Sequence, residues 1–261
     1  MMDRRFCAVA LVTYLTFLLP AQGQDKPARL SFDVASIRPS QPGLANGQIK
    51  PIPGGEGYIA HNISVKLMIS LMYKVPMWQI KGGPDWIKSD HFDVEAKADR
   101  FYGTDDLHVM YQNLLADRFA LKFHKETSQG PVYVLTVDSS GLKMKVNPSP
   151  QDYRIPVNGG PDHVRGTRVP MKYFCWWLGQ VLQNDKRPVI DRTGLDKNYD
   201  FTLSFSPELP PNASSEELPS AQHDLPSIFV ALREQLGLRL QAEKGPVEYY
   251  VIDHIEKPSA N

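Results

Sequence analysis

Cysteine is almost missing from this chain: Cys7 and Cys175 are the only two. Cys7 lies in an apolar N-terminal run, so the rest of the protein has one thiol and no internal disulfide to brace it. Net charge is missing too. Lysine plus arginine and aspartate plus glutamate number 29 each, so no overall field draws the protein to nucleic acid or anionic lipid. Familiar reaction signatures are equally scarce. The chain contains no GxSxG elbow, HExxH helix, CxxC pair, Walker loop or GxGxxG. The apolar run FCAVALVTYLTFLLP is about 15 residues long, short of the roughly 20 needed to cross a bilayer.

That run follows the basic start MMDRR and precedes Ala21-Gln22-Gly23, small residues at the two positions a signal peptidase reads. The sequence predicts a signal peptide over residues 1–23 and an exported mature protein, periplasmic or extracellular, with no transmembrane segment once the leader is removed. An uncleaved anchor is the alternative, and the run is short for it. At 42% hydrophobic and 10% aromatic residues, the chain can build real cores.

The phrase GPVYVLTVD at Gly130–Asp138 returns as GPVEYYVID at Gly245–Asp253. Segments upstream match in the same order: ISVKLMISLMYKV with VPMKYFCWWLGQVLQ, HFDVEAKA with NYDFTLSF, and LHVMYQNLLADRF with LPSIFVALREQLG. The expectation is an α+β fold with an internal duplication of period about 115 residues, two βαββαββ lobes each carrying two helices on small mixed sheets. A strand and irregular loop take residues 24–57, the first lobe 58–146, a linker 147–162 and the second lobe 163–257. A mobile loop is expected over 206–225. Within each lobe a turn before GPV is expected to make the last two strands a hairpin. Thr104 with Asp105 and Asp106 predicts a helix start, and Pro170 and Pro226 are expected at first helical positions.

Helical spacing puts Met171, Phe174, Cys175, Leu178 and Leu182 on one face, which reads Cys175 as a buried small hydrophobe. Tyr173 and Trp176 then point the other way, with Trp177 at the flank. Exposed aromatics of this kind mark a partner or sugar surface unless the first half of the chain covers them. Trp86 joins them as a candidate. Asp93 and Asp200 occupy matching slots and are the acidic candidates, with turn and capping residues as the plain alternative. His91 with Asp93 and His254 with Asp253 could contribute to acid–base or metal chemistry, but polar side chains on exposed strands or their ends are the simpler account of both pairs. No metal or cofactor is called for.

The order βαββαββ resembles the short N-terminal modules of secretins and TonB-dependent receptors, which implies a module that touches another protein. FDVASIRPS, GGPDW, LLADRFALKFHKE, PVIDRTGL, YDFTLSFSP, QLGLRLQAEKGPVE and VIDHIEKPS together resemble the uncharacterised "soil-associated" family of secreted bacterial proteins. That resemblance implies export and carries no catalytic residues; some relatives join this domain to membrane-bound sensor metallopeptidases. The leading expectation is a non-catalytic binding or signalling module contacting a protein or other envelope component, such as a polysaccharide. The alternatives are a hydrolase with a dispersed acidic site between the lobes and a carbohydrate-binding protein.

Overall fold

The structure, a computed structural model, describes residues 29–41, 47–150, 152–160, 162–207 and 225–258. The signal peptide and its cleavage point after Gly23, and nearly all of the loop expected over 206–225, lie outside the described residues. Helices and three four-stranded sheets make up the α+β architecture.

The first sheet has the order β1-β5-β3-β2, formed by β1(Val34–Pro39), β2(Gln48–Pro51), β3(Gly57–Ser64) and β5(His91–Lys97). Its alternating burial puts Ile37, Tyr58, Ala60, Phe92, Val94 and Ala96 inside. Gly57 starts β3 at φ 141°, where an added Cβ would fall 1.9 Å from the Ala96 carbonyl oxygen, so only glycine lets the two backbones approach. Another sheet has the order β7-β11-β9-β8, from β7(Lys145–Val146), β8(Val157–Gly159), β9(His163–Pro170) and β11(Asn198–Ser204). Residues 145–146 and 157–159 are therefore strands of this sheet, inside or beside the stretch expected to be a linker.

The hairpins expected at GPV do not form. β6(Lys122–Val137) and β12(Leu238–His254) run straight through Gly130 and Gly245 as single long strands. They pair antiparallel over their whole length, with Gly130 directly opposite Gly245. Neither glycine has positive φ, so neither supplies the left-handed residue a tight hairpin wants. Each instead leaves room for the valine of the other motif: a Cβ on Gly130 would sit 3.0 Å from Val247, and one on Gly245 would sit 3.1 Å from Val132. Short parallel strands flank this pair. β4(Ile80–Gly82) joins β12 at residues 250–252, and β10(Val189–Asp191) joins β6 at residues 133–135. Neither short strand reaches Pro131 or Pro246, so each proline sits where one side of its strand is open and no ladder bond is lost there.

The consequence is an exchange between cores. One core gathers α1(Val65–Tyr73), α3(Thr104–Arg118) and the first sheet, and takes Ile252 and Ile255 from the end of the chain. The other gathers α4(Met171–Val181), α5(Ile228–Ala231) with the turn of wider helix over 232–236, and takes Tyr133 and Leu135 from β6. Three helix starts differ from expectation. Thr104 is the first helical residue of α3 and its hydroxyl donates to the Asp152 carbonyl, so it caps nothing. Pro170 and Pro226 precede their helices, and Ser227 caps α5 by accepting from the Val230 amide.

Candidate functional site

Three helices bring one residue set together where the halves meet. α1 is capped by Ser64 and ends at Lys74, which turns left-handed at φ 53°. The Ser70 hydroxyl donates to the Val75 carbonyl at 2.6 Å, locking the exit of that helix and placing Leu71, Met72 and Lys74. Lys74 Nζ then reaches Asp105 at 3.0 Å and ties this end to the start of α3. From the second half, the Asp152 carbonyl accepts from both the amide and the hydroxyl of Thr104, which seats Ile155 and Pro156 against α3. One helical turn beyond Thr104, His108 stacks on Tyr58, centroids 5.9 Å apart and planes 18° apart. Opposite them α4 presents Tyr173 and Trp176, ring edge to face at 5.3 Å.

These side chains enclose a cavity of about 70 Å³, walled by Tyr58, Leu71, Met72, His108, Tyr173 and Trp176, with Ile155 and Pro156 closing it. Its walls are largely apolar, yet His108 Nδ1 and Trp176 Nε1 are both buried with no hydrogen-bond partner in the protein. Both residues line the cavity, and an unmet buried polar group costs about 1–3 kcal/mol. Burial, with Lys74 adding to it, pushes the His108 ring down to about 4, so it is neutral at ordinary pH; Asp105 opposes the shift. Burial raises both phenols, Tyr58 further through its neighbour Tyr173, so both keep their protons.

Trp176 also borders a second, larger cleft of about 370 Å³. Lys74, Lys125, Lys172, Asp191 and Glu248 supply its charge, and Tyr73 and Tyr250 its rings. Lys125 pairs with Glu248 at 2.7 Å, and its ammonium lies 4.8 Å from the Tyr250 ring centre. Tyr73 is pushed up to about 12 by burial and by Tyr250. Cys175 lies on this wall, and burial, then Asp191, raises its thiol so that the reactive thiolate is disfavoured.

Of the two readings for Tyr173 and Trp176, an open surface or cover by the first half, the structure shows cover. Tyr173 is 7% exposed and Trp176 half-buried, because the first half covers them. Trp177 turns away from the cavity, stacking on Phe174 at 5.7 Å and meeting Phe205 at 6.1 Å in the second core. Trp86 stands apart on α2(Trp86–Ser89), packed against the first core with Lys257 over its ring.

The acids do not converge either. Asp93 accepts from Ser40 Oγ at 2.7 Å and from the Asn62 amide at 2.9 Å, in the first sheet. Asp200 accepts from Asn147 Nδ2 and, at 2.8 Å, from the Arg168 amide, in another sheet. Asn62 and Arg168 are left-handed residues at matching irregularities of β3 and β9, so each acid secures a β-bulge. His91 Nδ1 meets the Ser89 carbonyl and His254 Nε2 meets Glu256, so the structure forms neither a His91–Asp93 nor a His254–Asp253 hydrogen bond. Asp253 instead contacts His124 at 2.7 Å, and this exposed ring is raised by Asp253 and then Glu126.

Tyr58 and His108 escaped the sequence reading. The available signal was a polar ring on the buried face of α3, four residues after Thr104 and three before Tyr111.

The fold and the cavity define an α+β protein with an aromatic-walled site between its halves. The family model described as "Protein of unknown function (DUF3738)" matches residues 66–255, and the chain belongs to that family. No curated protein and no solved structure matches it significantly. Among the described residues no helix is long and apolar enough to cross a membrane.

Proposed function

We propose that this protein is an exported, non-catalytic binding protein that receives part of an envelope ligand in the cavity between its halves. The carrying observation is the aromatic-walled cavity between the halves, lined by Tyr58, His108, Tyr173 and Trp176. A small number of polar groups in an apolar concavity is how binding sites fix a ligand's orientation. The groups nearby suit holding better than reacting. The Cys175 thiol is disfavoured as thiolate, the phenols keep their protons, and Asp93 and Asp200 are engaged at their bulges. Export is supported by the basic start, the apolar run and the small residues before Gln24.

An internal duplication also belongs to this reading. Two sheets share one strand order relative to the chain, each repeats the acid-to-bulge contact, and the two GPV motifs meet at the middle of the long ladder. Two copies that exchange their last strands create a seam, and the seam is where the cavity lies.

Co-sedimentation with insoluble envelope material tests the function. The protein lacking residues 1–23 is expected to pellet with it. Trp176→Ala should abolish retention, whereas Asp93→Asn and Asp200→Asn should leave it intact. Failure to pellet, or unchanged retention of Trp176→Ala, contradicts the proposal.

A further inference from the structure

We infer that the larger cleft beside α4 holds a neutral disaccharide unit, an inference that rests on the binding role proposed above. Gly179 motivates it. This glycine stands within α4, does not turn left-handed, and lines the cleft. A Cβ added there would meet nothing within 4 Å. Neither backbone shape nor internal packing therefore asks for glycine, at a place where alanine makes the better helix. A bare backbone suits the close approach of something from outside the chain.

Lys172, Cys175, Trp176 and Gly179 line the cleft together, three or four residues apart, so α4 runs along it. At the rise of a helix that wall is about 10 Å long. A cavity that takes benzene measures roughly 150 Å³, so the cleft of about 370 Å³ has room for about two six-membered rings.

The charges of the cleft balance. Lys125 pairs with Glu248 at 2.7 Å and Lys74 with Asp105 at 3.0 Å, leaving one cation, Lys172, and one anion, Asp191. An ionic ligand finds no excess of opposite charge, whereas hydroxyls can donate to the carboxylates and accept from the ammoniums. These groups are open to a ligand: Lys125, Lys172 and Asp191 are exposed, and Glu248, Tyr73, Trp176 and Tyr250 are half-buried. The three rings add apolar surface for the C–H faces of sugars. An extended peptide would instead need main-chain partners, and those of the cleft are largely taken. Pro76 and Pro188 have no N–H, and their carbonyls accept from the Gln79 and Tyr133 amides. Both main-chain groups of Val75 bond to Ser70, and the Glu248 carbonyl accepts from the Gln79 side chain.

Calorimetric titration of the full mature chain tests the assignment. The panel is neutral disaccharides of glucose, galactose, mannose and N-acetylglucosamine, with the single sugars, digalacturonate and trialanine as comparisons. At least one neutral disaccharide should bind about tenfold more tightly than its own single sugars, digalacturonate and trialanine. Gly179→Ala should melt at or above the native temperature and bind that disaccharide about tenfold more weakly. A lower melting temperature or unchanged binding shows that the glycine serves the fold and overturns the inference. Digalacturonate or trialanine binding as tightly as every neutral disaccharide, or no preference over single sugars, overturns it too. If no sugar binds while envelope material still pellets the protein in a Trp176-dependent way, this assignment falls and the binding role stands. If neither binds, both fall.

Discussion

His108 shows how much one side chain can disclose about a site. Its neutral form is held by burial and by Lys74, against the pull of Asp105, with Tyr58 stacked on its face. The unfolded chain takes up a proton near pH 6.5, whereas the folded ring resists until about 4. Stability tied to the neutral ring is therefore complete above 6.5 and declines as the pH falls toward 4. His108 is partly exposed, which reduces the effect to about 2 kcal/mol. His108→Phe should flatten this part of a melting-temperature profile; an unchanged acid limb argues against a buried neutral imidazole. Asp93 makes the opposite case. The Asn62 amide and Ser40 hold its carboxyl below the usual range, so its contribution is present near neutrality and lost as acid protonates it. Asp93→Ala should cost about 1–3 kcal/mol in denaturant unfolding and leave ligand binding untouched, whereas a catalytic acid would change activity and spare stability.

At the level of elements, the helices were the more legible part. The nearly all-round apolar character of residues 64–73 predicts a helix covered on more than one side, and Val65, Met68, Ile69 and Met72 are all buried. The strands of GPVYVLTVD and GPVEYYVID were legible too, but their connections were not. Gly-Pro reads as punctuation along a sequence, and only the partner strand reveals that Gly130 and Gly245 make way for Val247 and Val132. The fate of Tyr173 was hidden for the same reason: a helical wheel says which residues share a face and not what lies against it. Exchanged strands predict that neither half is whole. Ile252 and Ile255 complete the first core, and Tyr133 and Leu135 the second. Fragments divided at the exposed Asp138–Gly141 turn should each lack a cooperative melt and near-ultraviolet circular dichroism, and regain both on mixing. Cooperative melting of either fragment alone contradicts the interlocked ladder.

For the whole molecule, the long ladder fixes the two halves against each other and thereby fixes the distance across the seam. Lys74–Asp105 and Thr104–Asp152 tie the walls on one side, and the Gln79 amide donates to the Glu248 carbonyl on the other. A preorganised seam loses little freedom when a ligand enters, so binding should act locally and not reshape the sheets. Hydrogen–deuterium exchange of the mature chain, with and without solubilised envelope material, tests this most directly. The account predicts added protection confined to residues 71–79, 104–111 and 171–179. Protection that left these segments unchanged and fell instead on the outer strands β1 or β11, or no change anywhere, contradicts it.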